Sequence, residues 1–373
     1  GGYDFVTCEI VTELFFGLEC SAPKTEDGDP MDQDGHGTHV AGIAAGKGDY
    51  NNNNIYEPEN GEVWGVAPDA KLYAYRVLAS DGGLDSWIIS AIERSLDPNK
   101  DGDLSDHVDI ISMSLGGGGN PDDPTSKAVD NVVNFGVVVV IAAGNSGPNE
   151  QTIGSPGTAR KAITVGASFK KNYDAFWTSC KPYTYTSCGL CGEDGKVYCD
   201  HRGIGNVSID NVTSFSSRGP VSWIDEMGNR QFLLKPDIIE QVAYICAARY
   251  DSIFPDGQDT LYKQCIDDKH VQLAGTSMAA PIVSGVVALI KQAHPDWKPE
   301  EIKSILKGTA VNIGENLTIQ GYGRIDALKA VKIQKPIVSE LFATPLPEGR
   351  IIINGSAAGD NLVNNVLSYG KGL

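Results

Sequence analysis

Gly275-Thr276-Ser277-Met278-Ala279-Ala280-Pro281 runs without a break into the apolar stretch Ile282–Ile290, and this junction decides the fold. Small residues leading into a long apolar run read as a helix start with a hydroxyl in the first turn. Backbone N–H groups there have no partners and the dipole end is positive. A serine at that place can act as a nucleophile whose transient negative charge is stabilised nearby. Two distant segments turn this into a mechanism. Gly35-His36-Gly37-Thr38-His39-Val40-Ala41-Gly42 offers an imidazole at another helix start, between residues too small to obstruct it. Ala142-Ala143-Gly144-Asn145-Ser146-Gly147 puts a carboxamide directly after a buried strand.

These residue types suit acyl transfer. A serine hydroxyl is a weak nucleophile at neutral pH, so His36 is expected to take its proton during attack and return it to the leaving group. Asn145 and the Ser277 N–H are the expected donors to the oxyanion. Removing one such donor typically slows a reaction about 10²–10³-fold.

The middle of the chain alternates short apolar runs with helical patterns, which predicts a parallel sheet covered on both faces. Leu72–Val77, Val108–Ser114, Val137–Ala143 and Ala162–Gly166 read as strands. Trp87–Leu96, capped by Asp85 or Ser86, reads as a helix, as do Thr125–Phe135 and Thr276–Ala293, and another starts at Pro299. Residues 169–214 break the pattern with aromatic, Gly and Cys content and read as a Cys-rich surface insertion. After Gln334-Lys335-Pro336 the chain turns to strand-like sequence.

The chain has 373 residues, 41% of them hydrophobic, enough for a large core, and its formal charge of −18 argues against nucleic acid or anionic membrane as a partner. No run reaches membrane-spanning length, because Ile282–Ile290 belongs to the helix behind Ser277. The even count of 8 cysteines favours an oxidising compartment. Cys8 with Cys20, and Cys246 with Cys265, flank local loops that a disulfide could close for roughly 3 kcal/mol each. Cys180, Cys188, Cys191 and Cys199 form a cluster open to two readings, disulfides or, with His201, a zinc knuckle.

Asp97-Pro98-Asn99-Lys100-Asp101-Gly102-Asp103 places oxygen ligands at alternate positions with Gly at the sixth, a pattern that wraps a chain around Ca²⁺. Asp106 follows, whereas the twelfth position, where an EF-hand has its Glu, is Val108. A calcium loop with other ligands completing the shell is the expectation. Asp27, Asp29, Asp32 and Asp34 read as a solvated loop leading into the His36 helix, and His39 as a packed helix residue.

The three motifs, in the order His, Asn, Ser, closely resemble those of the subtilisin-like serine proteases, the subtilase family. The resemblance extends to Ile111-Ser112-Met113-Ser114-Leu115-Gly116-Gly117 and Gly321-Tyr322-Gly323-Arg324-Ile325-Asp326, covering roughly residues 1–333. It implies an α/β, three-layer subtilisin-like fold with a mainly parallel central sheet in a 1–333 peptidase domain. Residues 334–373 would then be a linker and the start of a truncated C-terminal β extension. It further implies a secreted endopeptidase, calcium-stabilised, monomeric, made with an N-terminal propeptide and acting on protein or peptide substrates. An extended substrate would be held between Gly82, Gly83 and Leu84 on one side and Ser114, Leu115 and Gly116 on the other. Ala142 and Gly144 would wall the pocket for the residue before the scissile bond, with Gly154 as its floor. That pocket is expected to favour a large apolar side chain.

Family members carry an Asp on a core strand ahead of the His segment, where it orients the imidazole. Gly1-Gly2-Tyr3-Asp4-Phe5 resembles the segment after that strand, so the sequence is expected to be a fragment, with Asp4 no substitute. Lys235-Pro236-Asp237-Ile238-Ile239 is followed by Glu240-Gln241-Val242 where the family commonly has Ala-Pro-Gly. The alternative function is a catalytically silent extracellular binding module on the same fold.

Overall fold

Every residue of Val138–Ala142 is buried, although the segment alternates direction like any strand. Val138, Val140 and Ala142 pack into one apolar cluster, and Val139 and Ile141 into another on the opposite face. A strand apolar on both faces belongs in the middle of a parallel sheet between two helical layers.

The computed structural model describes residues 1–13, 17–23, 25–48, 62–79, 82–169, 177–179, 185–186, 189–190, 196–198, 211–242, 245–250, 263–265, 269–334, 338–345 and 351–358. The strands that position the site are β1 (Gly2–Asp4), β2 (Ala74–Arg76), β3 (Ile110–Met113), β4 (Val138–Ala142), β5 (Ile163–Ser168), β6 (Ile238–Gln241), β7 (Ile245–Ala248) and β8 (His270–Leu273). The helices are α1 (His36–Ala45), α2 (Asp85–Arg94), α3 (Pro124–Phe135), α4 (Thr276–Ala293), α5 (Pro299–Thr309) and α6 (Ala327–Lys332). The central sheet has the order β6-β5-β4-β3, all parallel. β2 pairs in parallel with β1, and β7 with β8 antiparallel. Helices α1, α4 and α5 cover one face through Ile43, Val283, Val286, Val287, Ile302 and Leu306. α2 and α3 cover the other through Ile88, Ile92, Val129 and Val132. Each such side chain contributes about 1.5–3 kcal/mol by leaving water. The expected three-layer architecture is therefore present.

Each predicted strand and helix forms, with ends shifted by at most two residues and Thr276–Ala293 unshifted. α3 starts at Pro124 because Asp123 accepts the Ser126 N–H at 2.7 Å. α2 departs from expectation. Neither Asp85 nor Ser86 caps it: Leu84 sits at the cap position without a side-chain hydrogen bond, and Asp85 lies in the first turn, where its charge favours the dipole. α4 would suit a membrane span by length and hydropathy, but most of it is buried in the protein core.

The Lys235-Pro236-Asp237 segment enters β6 through a buried ion cluster. Lys235 Nζ donates to Asp237 Oδ2 at 2.8 Å and to the Ala162 carbonyl, while Lys303 reaches Asp237 Oδ1 at 3.0 Å. Asp237 Oδ2 also accepts the Thr164 N–H, tying β6 to β5. Glu240 and Gln241 continue the strand in register with Ala167 and Ser168. Cys246 and Cys265 form the expected disulfide. Cys8 is disulfide-bonded as well. The side chain of Cys20 and the whole cluster of Cys180, Cys188, Cys191 and Cys199 lie outside the described residues. Val338–Pro345 and Ile351–Ala358 form an antiparallel hairpin, in line with the strand-like sequence there.

Candidate active site

Ser277 occupies the first turn of α4, and its position depends on a proline four residues on. Pro281 has no N–H, so the Ser277 carbonyl loses its helical partner. Ser114, at the end of β3, replaces it, its hydroxyl donating to the Ser277 carbonyl at 2.7 Å. The residue read from sequence as a substrate contact thus also anchors the nucleophile's backbone.

Asn145 follows β4 directly and is exposed. Its Oδ1 accepts both the Thr276 N–H at 2.9 Å and the Thr276 hydroxyl at 3.0 Å. Those two donors fix which end of the amide is oxygen, leaving Nδ2 as a free donor toward Gly275 and the start of α4. The Thr276 hydroxyl accepts in turn from the Gly144 N–H at 3.2 Å. Thr276, fully buried, therefore clamps the end of β4 to the start of α4. Sequence reading passed over it because a threonine beside a candidate nucleophile looks like helix-start filler. The Ser277 N–H, one residue on, has no intrahelical acceptor at this position.

His36 opens α1, which packs along α4 at Ala44 and Gly285. Asp32 builds this helix start. Its Oδ2 accepts from the Thr38 N–H at 2.7 Å and the Thr38 hydroxyl at 2.6 Å, and its Oδ1 from the Gly35 and Asp34 N–H groups. Burial pushes the Asp32 carboxyl up, but these hydrogen bonds outweigh it and hold it below the usual range. The acidic stretch, read from sequence as a solvated lead-in, thus contains the carboxylate that satisfies the Thr38 N–H in the first turn of α1, ahead of Gly35 at the cap position. Burial also lowers the His36 imidazole below its ordinary value, against the raising effect of Asp34 and Asp32. His36 is half-buried, and among the described residues no hydrogen bond joins its ring to Ser277. Asp4 is buried and paired with Arg76 at 2.9 Å, and it also accepts the Val6 N–H.

His39 is packed, as expected. Its Nε2 lies 3.1 Å from the Ile245 carbonyl and 3.0 Å from that of Val271, so Nε2 must carry the proton and donate to β7 and β8. Burial lowers its pKa to about 4.

A groove of about 540 Å³ passes Ser277 and Asn145. Ser114, Leu115, Gly116, Ala142, Gly144 and Gly154 all line it, as the sequence reading placed them, and none of the lining residues carries a charge. Gly154 is required there by close approach, because a Cβ would lie 2.2 Å from the Gly117 carbonyl. Gly82, Gly83 and Leu84 lie just ahead of α2, where the Ala79 N–H donates to the Gly82 carbonyl, and are not among the lining residues of this groove. His36 is not among its lining residues either.

In the acidic loop, the carboxylates of Asp97, Asp101 and Asp106 converge so that one oxygen of each lies within 4.8 Å of the others. Asn99 Oδ1 accepts the Asp101 N–H, and Asp103 accepts the Ser105 N–H, so both shape the loop's own backbone. Three converging hard oxygen donors fit a divalent cation such as Ca²⁺.

The fold is thus a parallel α/β sandwich with a hydroxyl at a helix start and a fixed carboxamide beside it. Residues 18–323 match the subtilase family, and the chain belongs to it. It is 34% identical to the serine protease AprX of Bacillus subtilis (strain 168) over 83% of this chain and 59% of that one. With the minor extracellular protease Vpr of the same organism it shares 30% identity, over 89% of this chain and 48% of the relative. Among solved structures, sphericase superposes with a TM-score of 0.53 at 26% identity, covering 87% of this chain and 83% of that one. The chain thus spans about half the length of the first two relatives.

Proposed function

We propose that the protein is a secreted serine endopeptidase in which Ser277 is the nucleophile, His36 the general base and then acid, and Asn145 with the Ser277 N–H the oxyanion site. In this reading Ser277 Oγ attacks the scissile carbonyl as His36 takes its proton. The carbonyl oxygen, now negative, receives hydrogen bonds from Asn145 Nδ2 and the Ser277 N–H. His36 then protonates the departing amine, and water repeats the sequence on the acyl-enzyme. The observation that carries it is the Asn145–Thr276 clamp, which aims a donor at the start of α4 where Ser277 sits. The names of AprX and Vpr, both proteases, agree with it.

The neutral groove supports a large apolar residue before the scissile bond and offers nothing to pair with a basic one. Family membership supports protein or peptide substrates and a propeptide in the full-length protein, and a monomeric state is part of the same reading. The Cys246–Cys265 disulfide and the extracellular character in Vpr's name support secretion. Asp97, Asp101 and Asp106 would hold Ca²⁺, which would cancel their mutual repulsion and fix the loop between α2 and β3.

Fluorophosphonate labelling of the full-length protein tests the reading. The expected result is a single labelled peptide containing Ser277, lost in Ser277→Ala. A folded protein that remains unlabelled with calcium present would instead favour the silent binding module.

A further inference from the structure

Gln151 stands in the left-handed region with φ 58°, a conformation that Gly adopts freely and a long side chain rarely takes up. It also lines the groove that passes Ser277 and Asn145. Backbone held in this way clusters at ligand sites, where the side chain it presents is used.

The segment 215–219 fixes where Gln151 lies along the groove. The Ser217 N–H donates to the Gly144 carbonyl at 2.9 Å, and its hydroxyl accepts the Ser146 N–H at 3.1 Å. One and two residues further on, the Arg218 carbonyl accepts the Thr152 N–H at 2.9 Å and the Gly219 carbonyl accepts the Gln151 N–H at 3.3 Å. Two residues span at most about 7 Å of chain. Gln151 is therefore within reach of a long side chain that enters the groove beside Gly144.

Most other polar side chains of the groove are already committed. Ser114 donates to the Ser277 carbonyl, Asn145 and Thr276 hold each other, and the Thr152 hydroxyl donates to the Asn149 carbonyl while accepting the Arg218 N–H. Besides Ser277, the hydroxyl of Ser146 and the carboxamide of Gln151 are left, both exposed and without a hydrogen bond among the described residues. Of these two only Gln151 has a positive φ. The walls between are apolar, from Leu115, Ala142, Ala143 and Ile153. An apolar body carrying a single polar tip fits such a surface, and among side chains that description suits tyrosine.

We infer that Gln151 is a specificity-determining residue, whose carboxamide hydrogen-bonds the phenolic hydroxyl of a tyrosine placed before the scissile bond. The inference rests on the reading of Ser277 as nucleophile and narrows its substrate class from large apolar residues to tyrosine over phenylalanine. The amide donates through Nε2 or accepts through Oε1, so either orientation of the phenol is served. Because the position is exposed, water competes for both partners and the discrimination is modest, about two- to tenfold.

The test compares kcat/KM of the full-length protein for two peptides that differ only in having tyrosine or phenylalanine before the scissile bond. Wild type should favour tyrosine about two- to tenfold. Gln151→Met, which keeps the length of the side chain and removes its hydrogen bonds, should bring the ratio to about one. Gln151→Glu, which still accepts from the phenol, should retain the preference. Gln151→Gly takes up the positive φ freely and repeats the loss of preference if Gln151→Met does not fold. A merely structural role would slow both peptides alike, so a ratio that stays the same in wild type, Gln151→Met and Gln151→Gly would overturn the inference and leave the protease reading intact. Cleavage of neither peptide, with Ser277 unlabelled by fluorophosphonate, would overturn that reading and the inference with it.

Discussion

Asn145 makes two separable contributions, and one pair of substitutions divides them. Its Oδ1 satisfies the Thr276 N–H and hydroxyl, while its Nδ2 is the donor offered to the reaction. Asn145→Asp keeps an oxygen for Thr276 and replaces only the donor, setting a negative charge where another must form. Loss of one such donor costs about 2.7–4 kcal/mol of transition-state stabilisation, so kcat should fall about 10²–10³-fold. The Tm should stay close to wild type. Asn145→Ala should slow the reaction similarly and also destabilise the fold by about 1–3 kcal/mol, the cost of leaving a buried donor at Thr276 unpaired. Hydrolysis of a chromogenic peptide and the rate of fluorophosphonate labelling give the kinetics, and urea unfolding gives the stability. KM should change little in both, because the bond is made only as the oxyanion forms. An Asn145→Asp protein that reacts at the wild-type rate would refute the oxyanion assignment. One that unfolds as readily as Asn145→Ala would refute the division of roles.

Other consequences can be measured independently. Ser114→Ala should destabilise the start of α4 by about 0.5–1.5 kcal/mol and slow labelling of Ser277. Adding Pro281→Ala, which returns an N–H to the Ser277 carbonyl, should recover part of that loss, whereas strict additivity in the double-mutant cycle would contradict the anchoring role. His39 has its pKa lowered to about 4 in the fold, so protonation favours the unfolded chain. Its contribution is complete above pH 6.5 and fades as the pH falls from there toward 4, on the order of 3 kcal/mol in all. His39→Gln should flatten the Tm–pH curve in that window, and an unchanged slope would show that the acid sensitivity arises elsewhere. The lowered His36 imidazole should place the acidic limb of kcat/KM below pH 6.5, and a limb above that value would exclude it as the base. Asp237→Asn leaves Lys235 buried with its charge uncompensated and should cost about 3–5 kcal/mol in chemical denaturation.

Periodicity and motif order were enough for the layered α/β fold, the parallel strands, the long helix behind Ser277 and the identity of Ser277, Asn145 and His36 as candidates. These are local signals: apolar spacing, a helix start, a carboxamide after a strand. Sequence could not show that Thr276 joins Asn145 to α4, that Ser114 replaces the bond Pro281 removes, or that Asp32 accepts the Thr38 N–H in the first turn of α1. Thr276 and Ser114 meet partners more than a hundred residues away, and Asp32 is hidden among acidic neighbours that a solvated loop explains equally well. The same limit applies to metal ligation in the acidic loop, where composition proposed five oxygen donors and folding gathers the carboxylates of Asp97, Asp101 and Asp106. Spacing along a chain fixes which residues are near neighbours, whereas direction across a groove depends on how distant strands and helices pack. For that reason the chemistry could be read from the residue types, and the clamp, the anchor and the carboxamide of Gln151 at the groove only from the tertiary structure.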